Sequence, residues 1–110
     1  MTLASHLPIY KASYDLILHL FEIIHTYPRT YKYTLGEQLK QETLTLILTI
    51  TKANILRDKK PLLEQARGSV ESIRLLLRLS KDLHLLSLEK FVEINSAVES
   101  ISKQLVAWSR

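Results

Sequence analysis

The stretch Tyr27-Pro28-Arg29-Thr30-Tyr31-Lys32-Tyr33-Thr34-Leu35-Gly36-Glu37 interrupts a chain whose remaining residues are mostly helix formers. It contains one of three prolines, one of two glycines and three of five tyrosines in a chain of 110 residues. Pro28 disfavours helical backbone at the preceding residue, so we expect the first helix to end there. Thr34 and Glu37 have the spacing of a capping box, which predicts that a second helix begins near Leu35.

On both sides of this turn the composition favours long helices. Glycine and proline are scarce, which argues against sheet folds rich in turns, and Leu, Ile, Glu, Lys and Arg mostly favour helix. Apolar residues recur at helical spacing, which predicts one domain over 1–110 with helices at about 8–26, 35–57, 61–82 and 88–108. The connections are short, so neighbouring helices should be antiparallel. The predicted fold is an all-α, up-down-up-down four-helix bundle.

The first three predicted helices have more apolar surface than one bundle can bury. A surface helix needs an apolar arc of about 100°, and the first helix has about twice that. Left exposed together, the second faces would form a large apolar patch. We predict that they mediate self-association, with the surface of a partner protein as the alternative. The expected interface residues are Tyr14, Phe21, Leu44, Leu48, Leu75 and Leu79.

The basic charge is concentrated in the middle of the chain. The formal net charge is +4, and residues 52–81 contain eight basic and three acidic side chains. This asymmetry favours binding of an anionic polymer. Glu64 and Glu71 lie at the spacing of helical ion pairs, so a solvated, ion-paired face is the alternative. The candidate phosphate-binding residues are Lys59, Lys60, Arg67, Arg74, Arg78 and Lys81, with Arg29 and Lys32 as secondary candidates.

The sequence contains no group of residues typical of catalysis or metal binding. It has no cysteine and no His-x-x-x-His pair, and Glu22 and His25 supply only one of the two Glu-x-x-His motifs of a di-iron bundle. Phosphate-binding glycine loops, dinucleotide-binding motifs and serine nucleophile motifs are also missing. We therefore expect a protein that is not an enzyme and that holds no metal or cofactor.

The hydropathy pattern predicts a soluble, cytoplasmic chain without membrane contact. No apolar run reaches the roughly 20 residues that span a bilayer. The first twenty residues lack the pattern of a secretory signal, and the lack of cysteine fits a reducing compartment.

At the opening turn the sequence resembles the accessory variability determinant proteins of diversity-generating retroelements. These belong to a broader four-helix group with proteins encoded in intervening sequences of bacterial large-subunit ribosomal RNA genes. The family turn has an aromatic-Pro-basic triplet, a basic-aromatic pair and Thr-Leu-Gly at the start of the second helix. The matching residues here are Tyr27, Pro28, Arg29, Lys32, Tyr33, Thr34, Leu35 and Gly36. The chain length, the four-helix layout and Trp108 also agree.

This resemblance implies a barrel-like homopentamer of four-helix bundles, in which the modest charge of one chain is multiplied. It implies a non-catalytic partner of the element's reverse transcriptase and template RNA that supports error-prone copying at adenines during mutagenic retrohoming. The ribosomal intervening-sequence relatives imply an alternative. This alternative is a structural or protein-interaction module without nucleic-acid binding, since a fold does not determine a function.

Overall fold

A computed structural model of the chain describes residues 6–110; residues 1–5 of the predicted domain lie outside the described part. The helices are α1 (Pro8–His25), α2 (Arg29–Lys32), α3 (Leu35–Asn54), α4 (Lys60–Asp82) and α5 (Leu88–Trp108). The four long helices pack in the cyclic order α1–α3–α4–α5, and α5 closes the cycle on α1. Residues 6–110 contain no strand. The predicted all-α, up-down-up-down four-helix bundle is confirmed.

One apolar core runs along the axis between the four long helices. Each fully buried leucine or isoleucine contributes about 1.5–3 kcal/mol to folding. The largest fully buried side chains are Leu20, Ile24, Leu39, Leu46, Ile50, Ile73, Leu77, Ile94, Ile101 and Leu105. All four long helices supply such residues, so no helix can leave the bundle without exposing part of the core.

Local signals in the sequence define most helix ends. Pro61 lies in the first turn of α4, where its missing N–H removes no helical hydrogen bond. Ser87 caps α5, because its Oγ accepts a hydrogen bond from the Lys90 N–H at 3.1 Å. The sequence pattern extends the second long helix to about residue 57, whereas α3 ends at Asn54. The Ile55 N–H closes this end by bonding to a carbonyl only three residues back, at 3.3 Å.

The capping box predicted at Thr34 and Glu37 is wrong. Thr34 is the N-cap residue of α3, but its side chain accepts no hydrogen bond there. Its hydroxyl instead donates to the carbonyl oxygen of Thr30 at 2.7 Å, and the Glu37 carboxylate lies 3.6 Å from Lys40 Nζ. The short helix α2 explains the difference, because its end presents carbonyl groups that need donors.

Gly36, in the first turn of α3, allows α3 to approach α1 closely. A Cβ atom at this position would lie 2.7 Å from Ile24 Cγ2 and 3.3 Å from the Tyr31 carbonyl oxygen. Ile24 is fully buried, so it cannot move away without disturbing the core. At Gly68, in α4, the corresponding Cβ position has no heavy atom within 4 Å beyond the adjacent residues and the backbone of its own helix. The two glycines therefore form a matched pair with opposite surroundings.

Gly36→Ala is expected to lower the free energy of unfolding by about 1–3 kcal/mol, the usual cost of overpacking a buried site. Gly68→Ala is the control, and it should raise the free energy of unfolding by about 1 kcal/mol because alanine favours helix. Urea unfolding of both variants and the wild type at one protein concentration, followed by circular dichroism, measures the difference. Equal stability of the two variants would contradict the close α1–α3 contact.

Candidate interaction surfaces

Four of the predicted phosphate-binding residues lie along α4, and each has a carboxylate within 4 Å. We call this group the α4 stripe, and it consists of Arg67, Arg74, Arg78 and Lys81. Arg67 Nη1 lies 3.4 Å from Glu64 Oε1. Arg78 Nε and Lys81 Nζ each lie 3.9 Å from the Asp82 carboxylate. Such exposed pairs contribute about 0–1 kcal/mol to stability, but they reduce the positive potential that a phosphate would meet.

Arg74 lies between two carboxylates, one on its own helix α4 and one on α5. Its Nη2 lies 2.7 Å from Glu99 Oε1 on α5, and its Nη1 bonds to Glu71 on α4. One guanidinium between two carboxylates gives this cluster a net negative charge. Nε of Arg74 is buried and makes no hydrogen bond. These contacts indicate a structural role for Arg74 at the α4–α5 contact, where a phosphate would have to displace a carboxylate.

The predicted phosphate-binding residues do not form one surface. Lys59 and Lys60 lie at the connection between α3 and α4, where Lys59 Nζ donates to the Leu56 carbonyl. Arg29 and Lys32 lie in α2, at the opposite end of the bundle. Within residues 6–110, the side-chain nitrogens of Lys60, Arg29 and Lys32 have no carboxylate within 4 Å, although the backbone N–H of Lys60 donates to Asp58 at 3.3 Å. The phosphate-binding assignment remains a prediction for all eight residues.

Four of the six predicted interface residues share one side of the bundle. The ring of Phe21 on α1 lies 5.2 Å from Lys40 Nζ on α3, which fixes the relative level of the two helices. Leu44 is one turn beyond Lys40, and Leu48 is a further turn along and 57% exposed. We call this surface the α1/α3 face, and it consists of Tyr14, Leu18, Phe21, Leu44 and Leu48.

The other two predicted interface residues belong to a second surface on α4. Leu75 is 68% exposed, and Leu79 is also exposed. Ile73 and Leu77 of the same helix are fully buried, so at 100° per residue Leu75 points away from the core. We call this surface the α4 face, and it consists of Ser72, Leu75, Leu79 and Leu83. The six predicted residues therefore lie on two separate faces.

Tyr27, the aromatic residue of the opening turn, packs into the core and is 4% exposed. Burial raises the pKa of Tyr27 above its ordinary value of 10.0, and the Ser80 hydroxyl on α4 opposes part of this rise. The Ser80 hydroxyl donates its hydrogen bond to the Leu76 carbonyl oxygen at 2.9 Å. Oη of Tyr27 is buried and makes no hydrogen bond of standard geometry. The phenol therefore acts mainly as an apolar anchor for the turn.

No helix of residues 6–110 combines the length and hydropathy needed to cross a bilayer. The same part of the chain contains no group of three or more histidine, aspartate or glutamate side chains placed to hold a metal ion.

Tyr27→Phe is expected to reduce the decrease in the free energy of unfolding that occurs as the pH becomes alkaline. The unfolded chain ionises Tyr27 near pH 10 while the folded chain keeps it protonated, so wild-type stability falls as the pH rises from about 9 to 11. Phenylalanine does not titrate, so the variant lacks this contribution. At neutral pH its stability should lie within about 1 kcal/mol of the wild type, because no hydrogen bond is lost.

Urea unfolding across this pH range measures the effect. Tyr33→Phe is the control, because Tyr33 is 63% exposed and its removal should leave the wild-type pH dependence. A Tyr27→Phe variant with the same alkaline slope as the wild type would show that Tyr27 ionises equally in both states.

Comparison with known protein families gives a match over nearly the whole chain. A model of the bAvd-like family matches residues 7–110 of the chain. The matched range covers α1 to α5 together with the turn at residues 27–37. A search among curated proteins finds no match.

Proposed function

Because the chain belongs to the bAvd-like family, as the residues of its first turn predict, we propose that it acts as a non-catalytic accessory protein of a diversity-generating retroelement. It binds the reverse transcriptase and the template RNA of that element in the cytoplasm. Its presence supports error-prone copying at adenines during mutagenic retrohoming. The observation that carries this proposal is the family match over residues 7–110.

The two apolar faces support the oligomeric part of the proposal. Both are long enough to bury several large side chains, and they lie on different sides of one bundle. A two-fold dimer uses one self-complementary patch, whereas a closed ring uses two different patches on each subunit. The α1/α3 face of one copy packing against the α4 face of the next satisfies this requirement.

The two faces point in different directions, as the subunits of a closed ring require. The α1/α3 face lies over the groove between two neighbouring helices, and the α4 face lies on the next helix around the bundle. The number of subunits that we propose, five, comes from the family resemblance.

A subunit-mixing experiment tests the ring. Leu48→Lys damages the α1/α3 face and Leu79→Lys damages the α4 face, so each variant alone should be monomeric by native mass spectrometry. An equimolar mixture should give a dimer of the two variants, because one intact contact remains possible between them. Leu88→Lys is the control, since Leu88 is 69% exposed on α5 and lies outside both faces.

The outcome distinguishes a closed ring, in which two different faces pair, from a two-fold dimer, in which one face pairs with itself. If Leu48→Lys or Leu79→Lys alone forms dimers and the mixture gives no new species, the faces pair with themselves and the ring is contradicted. Circular dichroism of each variant establishes that the substitution leaves the bundle folded.

The proposed role in copying is tested with the reverse transcriptase and template RNA of a diversity-generating retroelement from the same genome. The wild-type chain should copurify with that enzyme, and adenine substitutions should appear in cDNA made from the template RNA only when the chain is present. Leu88→Lys should behave as the wild type, and Leu48→Lys should lose both effects because the ring is broken. Equal substitution frequencies with and without the chain would exclude the proposed role.

The ion pairs on α4 favour one alternative function. Since Arg67, Arg74 and Arg78 are paired with carboxylates, the stripe offers less free charge than the sequence indicates. A structural or protein-interaction bundle without a nucleic-acid partner would tolerate this. Such a protein shows no salt-dependent binding to RNA, whereas the accessory protein does.

A further inference from the structure

The side-chain contacts between helices place every segment at one of two ends of the bundle. Ile24 lies against the position of Gly36, and His19 lies 3.7 Å from Glu93. Lys81 lies 4.9 Å from the centroid of the Phe91 ring. The turn at 27–34 and the α4–α5 connection therefore share one end. The α3–α4 connection shares the other end with the start of α1 and the last turns of α5.

The net charge of the chain lies in only one of these two halves. The half with the α3–α4 connection (6–16, 45–70 and 99–110) contains eight basic and four acidic residues. The half with the turn (17–44 and 71–98) contains seven of each. The formal charge of +4 thus belongs to one half, although the contiguous sequence places the basic stretch across the middle of the chain.

Most of the unpaired cations lie in the charged half. Among residues 6–110, seven of its eight basic residues have no carboxylate within 4 Å of their side-chain nitrogens, against two of seven, Arg29 and Lys32, in the other half. Apart from the last residue, Arg110, five of these seven are exposed. They come from four different segments: the start of α1, the end of α3, the α3–α4 connection with the first residue of α4, and the end of α5. We call this group the basic end, and it consists of Lys11, Lys52, Arg57, Lys60 and Lys103.

We infer that the basic end is the RNA-binding surface of this protein. The phosphates of a single RNA strand bind there rather than at the α4 stripe. The inference rests on the proposed function, for which it names the surface. The α4 cations would have to exchange a carboxylate for a phosphate, whereas the basic-end cations exchange only counterions and water.

The shape and composition of the basic end fit a nucleic acid better than a protein partner. The bundle is 23 by 21 Å across its short axes, which is wide enough for several consecutive phosphates of one strand. Four of the five cations are lysine, a residue depleted in protein interfaces. Exposed Ile55 and Leu56 beside Arg57 can contact unstacked bases.

The ring adds these surfaces together. The α1/α3 face and the α4 face both run along the sides of the helices, so the axis of a ring built from them is parallel to the bundles. Every basic end then lies on the same rim, and the rim formed by the turns carries no net charge. An RNA strand can follow the basic rim from one subunit to the next.

Two charge-matched triple variants test the inference with a fluorescein-labelled oligouridylate. Lys52→Gln/Arg57→Gln/Lys60→Gln removes three charges from the basic end, and Arg29→Gln/Lys32→Gln/Arg78→Gln removes three from the other half. The slope of log K against log salt concentration should shrink by about 2 for the first variant, since each phosphate contact with a single strand contributes about 0.7. The second variant should keep the wild-type slope.

A second basic-end variant, Lys11→Gln/Lys103→Gln, changes only side chains on α1 and α5 and should shrink the slope by about 1.4. Native mass spectrometry and circular dichroism must give the wild-type oligomer and fold for each variant that is compared. The inference is overturned if the Arg29/Lys32/Arg78 variant loses as much slope as the basic-end variants, or if polyglutamate competes as well as RNA at equal charge. Absence of wild-type binding at low salt overturns the proposed RNA function itself, and the inference with it.

Discussion

The close contact of α1 with α3 at Gly36 is the constraint on which the rest of the bundle depends. Because no Cβ separates the helices there, Ile24 reaches the α3 backbone and the one-turn helix α2 fits over the start of α3. Tyr27 then enters the core beside Ser80 on α4, so a single turn connects three helices. Tyr27, Leu35 and Gly36 are the buried members of the turn and contribute to this packing, whereas Arg29 and Thr34 are exposed.

How far the sequence predicts the structure depends on whether the information is local. Helix existence, order and antiparallel packing follow from apolar periodicity, and the N-cap of α5 is local because the Ser87 hydroxyl accepts the Lys90 N–H. The role of Thr34 depends on α2, a turn too short to produce a periodic pattern, and its hydroxyl bonds to Thr30 instead. On a helix with a broad apolar face, residue spacing also does not show which of two adjacent apolar residues lies deeper in the core. The structure buries Ile24 more deeply than Ile23.

The candidate surfaces also combine local features, which the sequence predicts, with features that depend on neighbouring helices. Exposed apolar residues can be predicted from periodicity, because a helix that is apolar on two sides must expose one of them. Whether a cation is ion-paired cannot be predicted from periodicity, since a carboxylate beside Arg74 comes from Glu99 on another helix. Lys11, Lys52 and Lys103 lie far apart in sequence, and only the alternation of helix direction brings them to one end. A charge count along the chain therefore groups residues 52–81, whereas a count by bundle end separates the charged half from the neutral half.

Self-association and partner binding make different demands on a four-helix bundle, and the proposed ring would separate them. Contacts between copies need broad apolar area, and both apolar faces lie on the sides of the helices. The ends of the bundle are too small for such contacts, but a ring would repeat each end around one rim. Weak charge on a single end would then become a continuous anion-binding track, because phosphate contacts add along a strand. The opposite rim, with Arg29 and Lys32 balanced by acidic residues of the same half, would be left for a protein partner. A ring with one basic and one neutral rim would hold an RNA and an enzyme at the same time without competition between them.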